Sequence, residues 1–339
     1  MADQHGAADG TGAPADGTER CAAEVFEAHR PVLFGVAYRM LGRVADAEDT
    51  VQDAWLRWRE RTADAATSGT AADSGHGPGH GSGPGETGRE PVRSARAFLI
   101  RVTARLALDR LRRARARRET YVGQWLPEPL PTDVAAEPVP DGADRAVLAE
   151  SVSMAMLVVL ESLSPLERAV FVLREAFGFP YAEIARALGR TEPAVRQLAG
   201  RARRHVAERR PRFEVDPAGR RALTERFLSA AAGGDLDGLL AVLAPDAELV
   251  ADSGGKAKAP RRTIRTADKV GRFLAAIGRQ AARYDFVLLE LNGGPGVLAT
   301  REGRPEAAFQ IQIADGRIQR VHAITNPDKV AHLPAAAGR

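Results

Sequence analysis

The sequence predicts a multidomain chain: two all-α domains, the second a helix-turn-helix, followed by an α+β domain. Three observations predict it. Apolar residues recur at three- and four-residue steps through two stretches of the first 210 residues, as amphipathic helices require. Beyond about Arg220, short helical patterns give way to strand-like runs separated by turns. Between the periodic stretches lie segments rich in Gly and Ser or in Pro, which cannot build a core. At roughly 100–200 residues per domain, 339 residues hold two or three. A hydrophobic fraction of 44% excludes a wholly disordered chain.

Residues 1–20 read as a disordered tail, and residues 21–120 as the first helical domain. Within it, Val25, Phe26, Val32, Leu33, Val36, Ala37, Met40 and Leu41 mark one helix, which Gly42 can close. Val44–Trp58 starts a second. A flexible Gly/Ser-rich insertion is expected over 62–90; His76 and His80 sit in it among glycines and read as linker composition. Ser94 is a plausible N-cap for a helix with Phe98, Leu99, Val102 and Leu106 on one face. Residues 121–143 contain five prolines and read as a stiff linker, 144–210 as the second helical domain, and 211–219 as another linker. In the α+β domain, 217–333, short helices are expected at Leu223–Ala232 and Leu236–Leu243, then a strand at Ala247–Ala251 and a helix at Ala267–Gln280. A run Tyr284–Leu291 precedes a turn at Gly293–Gly296. Phe309, Ile311 and Ile313 alternate with Gln310 and Gln312, and Asp315-Gly316 signals a hairpin into a strand holding Ile318, Val321 and Ile324.

Residues 181–200 carry the helix-turn-helix signal. Ala185 is small where two helices touch, and Gly189 tolerates the left-handed turn. Ile184, Leu188, Val195 and Leu198 are spaced to face the shared core. Thr191 can cap the second helix, with Pro193 in its first turn; Ser164-Pro165-Leu166-Glu167 is a capping box ahead of the preceding helix. At about 100° per residue, Pro193, Gln197, Arg201 and Arg204 emerge opposite the apolar side, flanked by Arg196 and Arg203. That face suits the DNA major groove: Arg for guanine, Gln for adenine, further arginines for phosphate.

Net charge is only +4, but its distribution is uneven. Arg93–Arg118 holds ten arginines against Asp109 alone, and Arg186–Arg212 holds nine against Glu192 and Glu208. Two such runs fit a polyanion gripped at two places. No apolar run reaches bilayer length, and no basic-then-apolar leader pattern opens the sequence, so no membrane partner is expected and the cytoplasm is the expected address. A single cysteine, Cys21, excludes an internal disulfide and a cysteine zinc cluster. No catalytic residue, metal or cofactor is expected.

In Val44–Trp58 the apolar residues share one arc, while Asp46, Asp49 and Asp53 form a stripe on the far side with Glu48 and Gln52 between them. DAEDTVQDAWLRW (Asp46–Trp58) resembles the helix by which extracytoplasmic-function sigma factors hold the β′ clamp coiled coil of RNA polymerase. ARAFLIRVTARLALDRLRRARARR (Ala95–Arg118) is similar to the helix that opens and reads the −10 element. Leu163–Val206 resembles the domain that reads the −35 element and meets the polymerase β flap. These matches cover most of residues 22–210 in family order. They imply core RNA polymerase and promoter DNA as partners. They also imply a polymerase-binding set of Asp46, Glu48, Asp49, Gln52 and Asp53, and a −10 and melting set of Arg101, Arg105, Arg110, Arg112 and Arg113. The −35 set is then Pro193, Arg196, Gln197, Arg201, Arg203 and Arg204.

WLPEPL (Trp125–Leu130), DSGGK (Asp252–Lys256), NGGPG (Asn292–Gly296) and NPDKV (Asn326–Val330) resemble signatures of the subgroup with a fused SnoaL-like cone domain. DSGGK has serine where the subgroup usually has glycine, and the 62–90 stretch replaces a shorter loop that captures an unstacked promoter base. The resemblance implies regulation in cis through Trp125, Leu126, Pro127, Asp252, Lys256, Asn326, Pro327, Asp328 and Lys329, with NPDKV as a tail latch and a candidate small-molecule site in the cone. Asp252 and Lys256 flank a Gly-Gly turn, where an ion pair between them or a loop cap is the plain structural reading. Asp252, Asp285, His322 and Asp328 form the one acid/base set an enzyme reading would use, though no spacing demands it and His322 reads as packed. Two competing functions remain: a one-component, ligand-sensing helix-turn-helix regulator, and an enzyme with a DNA-binding appendage.

Overall fold

The computed structural model describes residues 13–70, 94–118, 120–132, 153–209 and 217–334. The first domain packs three helices, α1 (Ala13–Leu41), α2 (Val44–Thr70) and α3 (Ala95–Arg118). Gly42 ends α1 at φ +71°, and its N–H returns to the Tyr38 carbonyl at 2.8 Å. The second domain holds α4 (Met154–Glu161), α5 (Pro165–Phe171), α6 (Tyr181–Leu188) and α7 (Glu192–Arg209), with a π-helical turn Val172–Ala176 after α5. The Ser164–Glu167 capping box forms with Pro165 at the first helical position. Gly189, at φ +61°, closes α6 at the helix-turn-helix corner.

The α+β domain follows as α8 (Pro217–Gly233), α9 (Leu236–Val242), β1 (Leu243–Asp252), β2 (Ile264–Arg265), α10 (Ala267–Gly278), β3 (Asp285–Leu291), β4 (Gly294–Arg301), β5 (Arg304–Ala314), β6 (Arg317–Ile324) and α11 (Pro327–Val330). Its strands form a six-stranded sheet in the order β2-β1-β6-β5-β4-β3. β1 and β6 pair in parallel; the other pairings are antiparallel. Side chains alternate across the sheet, so each strand serves two layers. Phe227, Leu239, Leu249, Val270, Leu274 and Val321 form a core between one face and helices α8–α10. Leu298, Ala308 and Ile324 on the other face join Leu126, Met154, Leu291, Val330 and Leu333.

Several boundaries differ from expectation: residues 217–219 of the expected second linker open α8, and β1 begins at Leu243, expected in the preceding helix. The tail expected over 1–20 is helical from Ala13, where Pro14 and alanines suit a first turn; residues 1–12 lie outside the described residues. The insertion expected from 62 begins later, because α2 runs on through alanine-rich sequence to Thr70, and Thr62 returns its hydroxyl to the Trp58 carbonyl at 3.1 Å. Residues 71–90, with His76 and His80, fall outside the described residues, as do 133–143 of the linker, 144–152 of the second domain and 211–216. The expected turn at Gly293–Gly296 is tighter: Asn292 (φ +48°) and Gly293 (φ +69°) make it, and Gly294–Gly296 already pair with Leu291–Leu289.

The two helical domains share one apolar core, in which Leu33, Val36, Ala54, Leu99 and Ile100 pack with Leu157, Leu160, Val170, Leu173 and Ile184. Buried Arg168 crosses the seam, donating Nε to the Arg39 carbonyl at 2.8 Å and pairing with Glu161. Burial lowers the Arg39 pKa to about 10, and its guanidinium lies 5.3 Å from the Phe177 ring centre. Arg105 of α3 donates to the Ala187 carbonyl and, at 2.8 Å, to the Arg186 carbonyl. These are the unpaired acceptors at the C-terminal end of α6, where a cation is favoured.

Candidate functional site

The acidic stripe of α2 lies on its outer face, but α3 partly covers it. Arg110 reaches Asp53 at 2.6 Å and Asp49 at 3.3 Å. Burial opposes the Arg110 charge, but the hydrogen bond and field of Asp53, with Asp49, outweigh it and raise its pKa. Glu48 pairs with Arg30 at 2.6 Å, Asp46 is half-buried and Gln52 is exposed. Along α3, Arg101 lies 5.5 Å from the Phe98 ring centre, Arg112 pairs with Asp109 at 3.1 Å, and Arg113 is exposed. The −10 set is therefore split: Arg101, Arg112 and Arg113 face out, Arg110 lies on the acidic stripe, and Arg105 is held against α6.

α7 buries Val195, Leu198, Ala199, Ala202 and Val206, as the spacing predicts. Pro193, Arg196, Gln197, Arg201, Arg203 and Arg204 are all exposed. Arg196 pairs with Glu192 at 2.5 Å and lies 4.7 Å from the Tyr181 ring centre. Arg201 reaches Glu167 at 3.2 Å and Arg203 reaches Glu175 at 3.2 Å. Among the described residues, the side chains of Gln197 and Arg204 make no hydrogen bond or ion pair, so both present free polar ends on the outer face.

The segment 120–132 joins the first domain to the sheet. Its middle is buried, at Leu126, Pro127, Glu128 and Pro129, while Val122, Gly123 and Gln124 before it are exposed. Asp252, 0% exposed, accepts hydrogen bonds from the Tyr121 hydroxyl (2.5 Å), the Leu126 N–H (2.8 Å) and the Lys329 ammonium (2.7 Å). Lys329 also donates to the Leu126 carbonyl at 2.5 Å and lies 4.0 Å from the Trp125 ring centre. Of the two readings of the Gly-Gly turn, the loop cap holds, with the Gly254 N–H donating to Asp252 at 3.1 Å, and the ion pair between Asp252 and Lys256 does not form. Asp252 points inward to Lys329, while Lys256 stays exposed and pairs with Asp328. Asn326 caps α11 and donates to the Tyr121 oxygen at 2.8 Å, with Pro327 in the first turn. Burial and the Asp252 carboxylate raise the Tyr121 pKa, so its hydroxyl keeps the proton it donates.

Five residues outside the expected set hold the same seam: Tyr38, Tyr121, Glu128, Asn292 and His332. The Tyr38 hydroxyl donates to the Glu128 carbonyl at 2.6 Å and accepts from Asn292 at 2.7 Å. Asn292 exchanges hydrogen bonds with Leu130, at 2.8 Å through its N–H and 3.1 Å through its side-chain oxygen. The Glu128 carboxylate accepts from the Val44 N–H at 3.0 Å, placing a negative charge on the N-terminus of α2. Gly42 is pressed against this segment; a Cβ there would lie 2.8 Å from the Trp125 ring.

His332 reaches a Glu128 carboxylate oxygen (3.1 Å) through Nδ1 and the Pro129 carbonyl (2.8 Å) through Nε2. Both partners accept, so only the doubly protonated ring satisfies them. Burial opposes the charge, but Glu128 and Pro129 outweigh it and the pKa is raised. A raised folded-state pKa gives stability that is full below the ordinary imidazole value, about 6.5, and is lost as pH climbs through the raised value. His332→Gln should therefore destabilise by about 1–2 kcal/mol at pH 6 and progressively less toward pH 9, read as the melting-temperature difference from the parent chain. A pH-independent difference would contradict the imidazolium assignment.

The acid/base set does not converge. Asp252 is committed to the seam, Asp285 and Asp328 are exposed, and His322 is buried with its pKa lowered to about 3 by burial and Arg320. None of the four lines the cavity of the α+β domain. Among the described residues no helix is long and apolar enough to cross a membrane, and no group of three or more His, Cys, Asp or Glu is placed to hold a metal.

Comparisons with known proteins follow the same division. Residues 25–68 match the family described as Sigma-70 region 2, and residues 153–206 match Sigma-70, region 4. The ECF RNA polymerase sigma factor SigJ of Mycobacterium tuberculosis (strain ATCC 25618 / H37Rv) is 39% identical over 321 residues, covering 91% of this chain and 93% of that one. The probable ECF RNA polymerase sigma factor SigI of the same organism (strain CDC 1551 / Oshkosh) is 34% identical over 316 residues, covering 92% and 96%. The crystal structure of Mycobacterium tuberculosis SigJ superposes with a TM-score of 0.65 at 36% identity, over 91% of this chain and 97% of that one. With two sigma-70 regions in order, a C-terminal SnoaL-like α+β domain and relatives matched almost end to end, the chain belongs to the extracytoplasmic-function RNA polymerase sigma factors, which direct promoter-specific transcription initiation.

Proposed function

We propose that the outer face of α2 docks the chain on the β′ clamp coiled coil of core RNA polymerase through Asp46, Glu48, Asp49, Gln52 and Asp53. On this reading α3 meets the −10 element, the outer face of α7 reads the −35 element, the second domain also meets the β flap, and the chain works in the cytoplasm. The α+β domain holds the two helical domains together in cis. The observation that carries this is the buried Asp252–Lys329 pair closed over the 120–132 segment. Two DNA-reading domains that share one core and are tied by Arg105 to the end of α6 are poorly placed for two separated promoter elements. Release of the segment frees the second domain to move and Arg105 to meet phosphate.

Reconstituted transcription with core polymerase tests the promoter-reading assignment. Gln197→Ala should relax base preference at one upstream position, with a discrimination loss of about 1–3 kcal/mol if the contact is bidentate. Equal weakening on all templates would confine Gln197 to backbone contact and remove it from the reading set.

A further inference from the structure

The α+β domain encloses a cavity of about 620 Å³ between its sheet and helices α8 and α10. That volume lies in the range of small-molecule sites. Phe227, Phe273, Phe286 and Phe309 contribute rings to its wall. Ala251, Ala299, Ala307 and Ala323 line the sheet side, where their small side chains keep the floor open. Polar groups are confined to a few positions. Thr325 follows β6, Gln280 and Tyr284 precede β3, and Glu306 is paired with Arg301. Lys258 is exposed and makes no ion pair among the described residues. Ile277, 43% exposed, also lines the cavity, which leaves an apolar side chain at the edge where water meets it.

The sheet under this cavity also carries the seam. Ala251 faces the cavity and the next residue, Asp252, holds Lys329. Ala323 and Thr325 face the cavity; Ile324, between them, packs with Leu126 and Val330. Ala299 pairs with Ala307 on the cavity side, and the neighbouring pair Leu298 and Ala308 packs on the seam side. The two layers are one residue apart along three adjacent strands, β1, β6 and β5. A molecule filling the cavity presses on the same backbone that aims Asp252 and Ile324.

We propose that this cavity binds a small amphipathic acid, its apolar body among the phenylalanines and its anionic group beside Lys258, and that its occupancy biases the Asp252–Lys329 latch across the sheet. The coupling rests on the latch proposed above; the binding site stands without it. By linkage, if the ligand shifts the latch, loosening the latch shifts ligand affinity by the same factor.

Fluorescence titration of the full chain tests both parts, with 8-anilinonaphthalene-1-sulfonate as anionic probe and N-phenyl-1-naphthylamine as its uncharged counterpart. One site per chain is expected, with the anion bound at least threefold tighter and Lys258→Ala erasing that preference. Ala323→Leu, which fills the floor, and Ile277→Asp, which puts a negative charge at the half-exposed edge, should each weaken the anion at least tenfold. The edge position keeps the test valid if the floor variant fails to fold. Absence of one-site binding, or unchanged affinity in a folded Ile277→Asp variant, overturns the site. Asp252→Asn should change the Kd for the anionic probe at least threefold; an unchanged Kd with the site intact overturns the coupling alone.

Discussion

Asp252→Ala is expected to open the seam between the first domain and the sheet. The carboxylate is fully buried, and the Lys329 ammonium beside it is 3% exposed. Removing one member of such a pair leaves a buried charge unmatched, at a cost of about 3–5 kcal/mol. The loss extends further, because the Leu126 N–H and the Tyr121 hydroxyl lose their acceptor in the same step. If that cost falls on the docked state alone, the undocked population rises by a factor of roughly 100 or more. Protease cleavage within 120–132 should accelerate by a comparable factor, and the radius of gyration of the free chain should increase. Pairing the change with Lys329→Met should cost less than the two single changes summed, since both remove the same interaction. Cleavage rates equal to those of the parent chain would show that the pair does not hold the segment. In reconstituted transcription the opened variant should initiate at lower protein concentration than the parent. An unchanged concentration dependence would separate the latch from regulation.

The local devices of this fold were legible in the sequence. The Ser164–Glu167 capping box, the Gly42 and Gly189 helix ends, the buried stripe of α7 and the Asp315-Gly316 hairpin depend on residues within a few positions of each other. Periodicity and turn chemistry read such features directly. The exposed faces of α2 and α7 followed from the same patterns, whereas the strand order, with its parallel β1–β6 pair, did not. The seam did not. Tyr38 and Asn292 are 254 residues apart, and Asp252 meets Lys329 across 77. Proximity in sequence favoured Lys256, four residues from Asp252, yet a Gly-Gly turn carries it outward. Glu128 lay inside the quoted WLPEPL motif, but its role as a buried acceptor arises only from the approach of α1, α2 and His332. The split of the α3 arginines was equally illegible. The set was implied by resemblance, but the hydrogen bonds that tie Arg105 to the end of α6 are a property of two domains packed together.

Asp49→Arg combined with Asp53→Arg should abolish co-purification with core RNA polymerase while leaving the helical domains folded. Both carboxylates lie at the surface, with side chains 62% and 43% exposed. Their ion pairs with Arg110 therefore contribute only about 1 kcal/mol or less each. Circular dichroism and the melting temperature should change little. Binding is another matter, because two reversed charges facing a basic partner cost several kcal/mol through like-charge juxtaposition. A loss of at least 100-fold in affinity is expected, steeper at low salt than at high salt. Arg110→Ala supplies the control. In the free chain this guanidinium occupies the position a basic partner would take against the stripe, so its removal should leave polymerase binding equal or tighter. Persistent co-purification of the double reversal would detach the stripe from polymerase docking. Loss of binding in Arg110→Ala as complete as in the double reversal would make Arg110 itself the contact and the carboxylates its support.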